Sequence, residues 1–247
     1  IGGPTASGKT HTAAVLGKHF GTEVISADSR QFYNAMRIGT ARPSDNELLG
    51  VPHHFLGHLE LNDTWSAGTF SRAAEPVLQR IIEARGIAIL VGGSGLYMDA
   101  LLKGLDPLPP VRPVVRERLK DRLEQEGLQP LLAELHRVDP TTHTRIDRNN
   151  PHRVIRALEI CISTGRPYSE QRTTPKDRLD MRIIRVAMVL PRTALYARID
   201  KRVDCMMAEG LEHEARTLLP QRHLNALHTV GYTELFRHFD GELPLPD

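Results

Sequence analysis

Short apolar runs alternate along this chain with longer segments whose apolar residues recur at helical spacing. Three runs have the length and composition of buried parallel strands: residues 23–27, 87–91 and 183–190. The segment Ala67–Arg85, between the first two runs, has the periodicity of an amphipathic helix. This alternation predicts an α/β core built on a parallel sheet.

The strand pattern disappears between about residue 106 and residue 182, and helical patterns replace it. The spacing predicts one helix over Pro113–Glu126. A second helix has Asn150 as its N-cap, Pro151 at its first position and Gly165 just after its end. These signals predict an all-helical insertion into the α/β core.

We therefore predict two parts, a core formed by residues 1–105 and 183–247 and a helical insertion formed by residues 106–182. Their charges differ. Residues 112–185 contain 16 Lys and Arg against 11 Asp and Glu, whereas the rest of the chain contains 16 against 19. A basic insertion suits a phosphate-rich partner such as a nucleic acid, although a solvated helix surface has the same charge pattern.

The composition excludes several classes of protein. The 247 residues carry a formal net charge of +2 and two cysteines, Cys161 and Cys205. That cysteine count excludes a disulfide scaffold and a cysteine-rich zinc site, and it favours a reducing, cytoplasmic location. No apolar run approaches the ~20 residues of a membrane-spanning helix, so no membrane partner is expected.

The beginning of the chain has the phosphate-binding pattern G-x-x-x-x-G-K-[ST]. Its eight residues are Gly3, Pro4, Thr5, Ala6, Ser7, Gly8, Lys9 and Thr10. In this pattern backbone N–H groups surround phosphate oxygens, the lysine supplies positive charge and the final hydroxyl binds Mg²⁺. With the helix predicted over residues 11–20, it indicates a P-loop, nucleotide-kinase-like core. The alternative is an ordinary glycine-rich turn before a helix. A strand is expected before the loop, where Ile1 and Gly2 stand.

The positions of the acidic residues limit which reactions the P-loop could support. Nucleotide-hydrolysing P-loop proteins need an acidic residue after a core strand to hold Mg²⁺. The strongest predicted strand, 87–91, is followed by Gly-Gly-Ser-Gly and lacks such a residue. Asp28 follows the first predicted strand, at the sheet edge that also carries the P-loop. Its carboxylate could hold Mg²⁺ or act as a general base on an acceptor, and both readings stay open.

Beyond the P-loop, several motifs follow in a fixed order. They are Asp-Ser-Arg-Gln-Phe-Tyr at 28–33, Ile-Gly-Thr-Ala-Arg-Pro at 38–43, Val-Pro-His-His at 51–54, Ser-Ala-Gly at 66–68, Val-Gly-Gly-Ser-Gly-Leu-Tyr at 91–97, Asn-Pro-His-Arg-Val-Ile-Arg-Ala-Leu-Glu at 150–159 and Val-Gly-Tyr at 230–232. With these motifs the chain resembles the tRNA dimethylallyltransferase (tRNA isopentenyltransferase) family from residue 3 to about residue 241. In that family a further basic segment is expected after this point.

The resemblance implies an enzyme that transfers the dimethylallyl group of dimethylallyl diphosphate to N6 of the tRNA adenosine that is 3′-adjacent to the anticodon. Its partners would be the tRNA anticodon stem-loop and the diphosphate donor, and its cofactor would be Mg²⁺. The protein is expected to be a cytoplasmic monomer. Because diphosphate leaves and no phosphoryl group is transferred, the missing acid after residues 87–91 is consistent with this activity.

The resemblance also assigns roles to residues. Residues 3–10 would hold the diphosphate, with Thr10 as the metal-binding hydroxyl. The catalytic residues would be Asp28, Ser94 and Arg202. Asp28 would take the N6 proton or orient the amine, Ser94 stands where the family usually has threonine, and Arg202 would meet the leaving diphosphate. We favour Arg202 over Arg198, its neighbour at i−4, although a solvent-facing ion pair is an equal alternative.

A larger set of residues would contact the tRNA and its unstacked adenine. The set is Asp28, Ser29, Arg30, Gln31, Ser94, Arg116, Arg153, Ile155, Arg156, Ala157, Leu158, Glu159, Val230, Gly231 and Tyr232. A surface basic patch is the alternative for the arginines. At the edges of residues 228–233, where the family often has arginine, this chain has histidine and threonine.

Other functions remain open at this point. They are a small-molecule P-loop kinase, an RNA-binding module without activity and a prenyltransferase of free adenine nucleotides. His53 and His54 lack a second ligand pair at metal-binding spacing, so packed histidines are favoured over a metal site. For Trp65 and Tyr97, core packing is favoured over base stacking.

Overall fold

A computed structural model describes residues 1–105, 111–172 and 180–244. Its strands are β1 (Val24–Ser26), β2 (His53–His54) and β3 (Ile89–Val91). Its α-helices are α1 (Lys9–Phe20), α2 (Ala67–Arg85), α3 (Gly95–Lys103), α4 (Pro113–Glu126), α5 (Leu128–Val138), α6 (Pro140–Arg145), α7 (Pro151–Thr164), α8 (Tyr168–Gln171), α9 (Arg192–Ala208), α10 (Leu211–Leu218) and α11 (Tyr232–Phe239). Two 3₁₀-helices, Leu219–Gln221 and Asn225–Leu227, lie between α10 and α11.

The strands form a parallel sheet in the order β2-β1-β3 among the described residues. In β1, Val24 pairs with His53 on one side and with Ile89 on the other. The α/β prediction is therefore confirmed. Because β1 and β3 run parallel, Asp28 and Ser94, which follow them, reach the same edge of the sheet.

The first two residues place the P-loop at that edge. Gly92 donates its backbone N–H to the carbonyl of Ile1, and Gly2 donates to the carbonyl of Val186. Ile1 and Gly2 thus continue the hydrogen-bonding pattern beyond β3, and the chain enters the P-loop directly afterwards.

The predicted buried strand at residues 183–190 is wrong. The structure has a single parallel bridge there, between Gly2 and Ala187. Ile184 and Val189 are 70% and 82% exposed. A run that is paired at one point gains neither a continuous ladder nor a covering layer, so its apolar side chains remain in solvent.

The structure adds a strand that the apolar pattern does not predict. β2 consists of His53 and His54 and pairs with β1, but two polar residues give no apolar pattern from which a strand could be predicted. His54 Nε2 lies 2.6 Å from Glu23 Oε2, and His53 Nδ1 lies 2.9 Å from the carbonyl oxygen of Val51. Both histidines have local partners, in agreement with the packed interpretation.

Several helices begin and end where the sequence predicts. Ser66 caps α2 by accepting a hydrogen bond from Thr69 N. The Asn150 side chain caps α7 by accepting from Arg153 N, and Gly165 ends this helix in the left-handed conformation. The first helix, α1, begins at Lys9, two residues before the predicted start.

The main core surrounds the sheet and contains a cluster of aromatic rings. Phe32 and Phe70 are fully buried and stack at 5.5 Å between ring centroids. Tyr97 and Trp65 pack on Phe32 at 5.5 and 6.4 Å. Both therefore belong to the core, as predicted, and are not free to stack on a base.

The chain divides into two compact units. Unit 1 comprises Ile1–Gly104 and Asp177–Asp247, and unit 2 comprises Leu105–Lys176. Residues 180–182, which the sequence places in the insertion, lie in unit 1, and Met181 packs against its core. The predicted boundary at residue 106 lies outside the described residues.

Unit 2 is helical throughout its described part and has its own core. Leu119 of α4, Leu131 and Leu135 of α5, and Val154 and Leu158 of α7 form its centre. Asp139, the N-cap residue of α6, accepts hydrogen bonds from the backbone and hydroxyl of Thr142, and it also accepts two from Ser169 at the start of α8. These hydrogen bonds lower the pKa of the buried Asp139 carboxyl.

The apolar spacing of residues 195, 199, 203, 206 and 207 predicts a helix over residues 194–209 with a core-facing stripe, and this helix forms as α9. Met206 and Met207 pack against the core of unit 1, but the rest of the stripe is not covered in the same way. No residue of α9 is buried, and Val203 is 48% exposed. Leu195 and Ile199 are only partly exposed. The polar side of α9 carries Arg198 and Arg202, two residues that the sequence places near the diphosphate.

Candidate active site

The P-loop folds tightly around its lysine. Lys9 Nζ donates a hydrogen bond to the carbonyl of Pro4 over 2.6 Å. Gly8 has a φ of 92°, a left-handed conformation that favours glycine and turns the loop into the first residue of α1. The positive end of the α1 dipole and its free N–H groups therefore face the loop, which is an arrangement that binds anions.

A cavity of about 1050 Å³ opens beside the P-loop. Within unit 1 it brings together the P-loop, the segment after β1, the turn after β3 and Arg202 of α9, all of which the sequence singled out. Its lining includes Gly3, Pro4, Thr5, Ala6, Gly8, Lys9, Thr10, Asp28, Ser29, Arg30, Gln31, Gly92, Gly93, Ser94, Arg202 and Thr229. The candidate diphosphate, catalytic and metal-binding residues thus share one cavity, while Ser7 is buried behind it.

Asp28 is placed by the end of β1. Its Oδ1 atom accepts a hydrogen bond from Arg30 N over 3.1 Å, which fixes one carboxylate oxygen. Gly92, from the end of β3, packs so closely on Ala27 that a side chain there would collide with the Ala27 backbone. This close approach brings the turn after β3 next to Asp28.

Ser94 and Ser29 interact directly across that approach. Ser94 Oγ accepts from Ser29 N over 3.0 Å and donates to Ser29 Oγ over 3.1 Å. The Ser94 hydroxyl therefore ties the turn after β3 to the segment that follows Asp28. A serine supplies this hydroxyl as well as a threonine would.

The positive charge of the site comes from two parts of unit 1. Arg202 Nη1 donates to Thr5 Oγ1 over 3.2 Å, and Arg198 Nη1 donates to the carbonyl of Ala6 over 3.5 Å. Both arginines of α9 therefore reach the P-loop, with Arg202 the closer. Burial lowers the pKa of Lys9, the Asp28 carboxylate opposes that shift and the Arg202 charge adds to it. A bound anion would relieve the repulsion between Lys9 and Arg202.

The side chains of Arg30 and Gln31 are engaged with backbone. Arg30 donates to the carbonyls of Asn225, Ala226 and His228 over 2.9–3.1 Å. Gln31 Nε2 donates to the carbonyls of Thr40 and Ala41 over 3.0 and 3.1 Å. The sequence expects both residues to contact the target nucleotide, but the structure uses these side chains to hold neighbouring loops.

The candidate tRNA residues of unit 2 separate into a surface and a core set. Arg153 is exposed, and Arg116 and Arg156 are half-exposed around the buried Glu159 carboxylate. Arg116 donates to both Glu159 oxygens, over 2.6 and 3.1 Å. The side chains of Ile155, Ala157, Leu158 and Glu159 are buried and cannot contact a macromolecule at the surface.

The Val-Gly-Tyr segment likewise presents one side chain and buries another. Val230 is 83% exposed, whereas Tyr232 is completely buried and donates to Glu214 Oε1. Gly231 lies between them with a φ of 92° and donates its N–H to Glu234. Tyr232 is therefore a packing residue, and Val230 is the one that reaches solvent.

No role is assigned to Glu214 or Arg42 from the sequence, although Arg42 belongs to the motif at residues 38–43. Arg42 lines the cavity and donates to the carbonyls of Tyr33 and Asn34. Glu214 binds backbone groups some 175 residues earlier in the chain. A lone glutamate on a helix carries no signal of such a contact, because its partners are brought near it only by the fold.

The residues near the P-loop fit a magnesium ion. The Thr10 hydroxyl and the Asp28 carboxylate both line the cavity. Mg²⁺ prefers such oxygen ligands and completes its coordination with phosphate oxygens and water. The described residues contain no cluster of three or more His, Cys, Asp or Glu that could hold a metal by themselves.

Across the described ranges, every helix falls short of the length and apolarity that crossing a membrane requires.

Comparisons with known proteins agree on one family. A family model described as IPP transferase matches residues 31–247. The chain is 46% identical to the tRNA dimethylallyltransferase of Christiangramia forsetii over 243 residues, which covers 98% of this chain and 80% of that protein. It is 44% identical to tRNA dimethylallyltransferase 1 of Bacteroides thetaiotaomicron, with 99% and 79% covered.

Solved structures show the same similarity. The full-length tRNA isopentenylpyrophosphate transferase of Bacillus halodurans matches with a TM-score of 0.68 and 36% identity, covering 99% of this chain and 78% of that one. A eukaryotic dimethylallyltransferase acting on tRNA matches with a TM-score of 0.79 and 26% identity, covering 98% of this chain and 63% of that one.

Proposed function

The chain belongs to the IPP transferase family of tRNA dimethylallyltransferases, and from that premise we propose that it prenylates an adenosine of tRNA. It transfers the dimethylallyl group of dimethylallyl diphosphate to N6 of the adenosine 3′-adjacent to the anticodon, and diphosphate is the second product. Family membership agrees with the order of motifs in the sequence.

One observation carries the proposal. A single cavity joins the P-loop with its Lys9, the Arg202 guanidinium and the Asp28 carboxylate, and no acid follows β3 where a nucleotide hydrolase would need one. The cationic side suits a departing diphosphate, and the carboxylate suits an acceptor whose proton must leave. Prenyl transfer requires both, because the diphosphate leaves as the acceptor amine loses its proton.

The P-loop side stabilises the leaving group. As the allylic C–O bond of the donor breaks, negative charge grows on the diphosphate. The N–H groups at the start of α1, the Lys9 ammonium and the Arg202 guanidinium are already in place to bind that charge. Because these groups are held by the loop and by α9, little reorganisation is needed during the reaction.

Asp28 acts on the acceptor. The exocyclic amine of adenine is a poor nucleophile because its lone pair is delocalised into the ring. As the new bond forms between N6 and the allylic carbon, the nitrogen loses a proton, and the Asp28 carboxylate accepts it. The Arg30 N–H holds Oδ1, so Oδ2 is the oxygen left for the proton.

The Thr10 hydroxyl is the protein oxygen that would hold Mg²⁺, with diphosphate oxygens and water as its other ligands. When bound, the ion neutralises charge on the diphosphate oxygens.

The tRNA is held by its backbone. Arg116, Arg153 and Arg156 present guanidinium groups at the surface of unit 2, and these suit phosphate. The adenine must leave its stack to reach the cavity, and a single-stranded loop reduces the free energy that this requires.

The test is the Asp28→Asn variant. With unmodified tRNA and labelled dimethylallyl diphosphate, the unchanged protein incorporates label into tRNA, and the variant turns over about 10²-fold or more slowly. Donor affinity changes little, because asparagine keeps the shape of the side chain. A large loss of Mg²⁺–diphosphate affinity would make Asp28 a metal-site residue, and an unchanged turnover would remove its catalytic role.

A further inference from the structure

A carboxylate from α10 holds the backbone of a loop that lines the cavity. Glu214 accepts hydrogen bonds from the backbone N–H groups of Arg37, Ile38 and Gly39, over 2.9–3.0 Å at their shortest. Three consecutive N–H groups that converge on one carboxylate form the kind of concave site that binds anions. Each of these hydrogen bonds is strengthened by the negative charge.

Tyr232 completes this arrangement from α11. Its hydroxyl donates to Glu214 Oε1 over 2.5 Å, and the residue is fully buried. Burial and the neighbouring carboxylate raise the pKa of Tyr232, so the phenol stays protonated and keeps donating. A Cβ atom at Gly39 would lie 2.6 Å from the Tyr232 ring, so this close packing requires glycine.

The loop held in this way forms part of the cavity wall. We call residues 37–44 the rim loop, and most of its residues line the cavity. Gln31 donates to the carbonyls of Thr40 and Ala41 in the same loop. The rim loop is therefore fixed from two directions, by Glu214 and by the segment that follows Asp28.

We propose that Glu214 is a positioning residue for the acceptor nucleotide, which it serves by fixing the rim loop. The inference rests on the proposed function. The side chains that tether the loop come from Gln31, three residues after Asp28, and from α10. Lys9 and Arg202 are cations that contact the P-loop. The rim loop is instead tethered to the segment that follows Asp28, so it forms the acceptor side of the cavity.

The test compares Glu214→Gln with Glu212→Gln. Glu212 lies on the same helix but pairs with Arg216 at the surface, so its variant is the matched control. Hydrogen exchange of the amides of residues 37–39 reports the state of the loop directly. Steady-state kinetics with tRNA and with dimethylallyl diphosphate report which substrate depends on it.

We expect faster exchange at residues 37–39 in Glu214→Gln, with the KM for tRNA raised about tenfold and the KM for the donor within about twofold of the control. Faster exchange with both KM values unchanged would reduce Glu214 to a structural residue and overturn the proposal. An equal rise of both KM values would also overturn it, because the effect would not be specific to the acceptor.

Tyr232→Phe keeps the test decisive if Glu214→Gln does not fold. This variant keeps the buried ring and removes one donor, so a smaller rise in the same KM is expected. An acceptor KM equal to that of the control would contradict the proposal. If the unchanged protein does not prenylate tRNA, the proposed function itself fails, whereas normal prenylation with an unaltered acceptor KM in the variants refutes only the role of Glu214.

Discussion

Arg202 and Arg198 differ in what they contact at the P-loop, and this difference predicts which of them contributes more to diphosphate binding. Arg202 reaches a side-chain hydroxyl of the P-loop, whereas Arg198 reaches a backbone carbonyl over a longer distance. Replacing a guanidinium that touches the diphosphate removes binding that strengthens as the C–O bond breaks.

We expect Arg202→Ala to lower kcat/KM for dimethylallyl diphosphate by about 10²-fold, and Arg198→Ala by about tenfold or less. Steady-state kinetics at saturating tRNA measure both. Equal losses, or a larger loss for Arg198→Ala, would reverse the assignment, and the affinity for tRNA serves as the internal control.

For Arg30 and Gln31, the sequence predicts the position of the residue but not the partners of its side chain. Their position after Asp28 correctly places them at the cavity, but sequence cannot show that their side chains bind backbone carbonyls. The carbonyls that Arg30 binds lie some 195 residues later. A motif identifies where residues lie, whereas the direction of each side chain depends on long-range packing.

At the scale of secondary-structure elements, Glu159 joins α4 to α7. It is 1% exposed and binds Arg116 of α4 and Arg156 of its own helix. These contacts raise the pKa of Arg116, and they fix the direction of two guanidinium groups at the surface of unit 2. In the proposed function, this buried carboxylate contributes to tRNA binding by orienting the two arginines.

We expect Glu159→Gln to lower the free energy of unfolding by about 2 kcal/mol, less than for a fully buried pair because both arginines are half-exposed. Urea denaturation measures the difference, with exposed Glu117→Gln of α4 as the control. A Glu159 variant as stable as the control would show that the buried carboxylate contributes nothing to joining the helices.

Glu23 links β1, β2 and α2 through charge. It pairs with Arg80 and His54, and hydrogen bonds from these two side chains lower its pKa from 4.5 to about 2. Because the pKa is lower in the folded state, this stabilisation is complete above pH 4.5. It is lost as the pH falls through the range from 4.5 to about 2.

The stability advantage of the unchanged protein over Glu23→Gln should therefore be constant above about pH 5 and should shrink below it. Thermal unfolding of both proteins between pH 7 and pH 3 gives this difference. An advantage that stays constant down to pH 3 would show that Glu23 is not paired as the structure describes.

Helices were easier to predict than strands for a physical reason. Local residues mark where helices begin or end. Ser66 caps the start of α2, Pro113 is the first residue of α4, and Gly165 follows the last residue of α7. Strand identity depends on partners distant in sequence. β2 is two histidines without an apolar pattern, while residues 183–190 have the pattern but pair at one point.

At the scale of the whole molecule, the chain divides into two compact units with different chemistry. Unit 1 holds the cavity with the phosphate-binding loop and Asp28. Unit 2 holds the arginines that suit an RNA backbone. The motifs at residues 3–10, 28–33 and 91–97 all contribute residues to the cavity lining, since each lies at the end of a strand or the start of a helix.

We propose that the P-loop of this protein binds a leaving diphosphate and that its acceptor is tRNA. The most direct measurement is label transfer in the presence of Mg²⁺, with dimethylallyl diphosphate or ATP as donor and unmodified tRNA or free AMP as acceptor. We expect prenyl label to enter tRNA, at the adenosine 3′-adjacent to the anticodon, and not to enter AMP. Prenylated AMP with unlabelled tRNA, or phosphate transfer from ATP without prenylation, would contradict it.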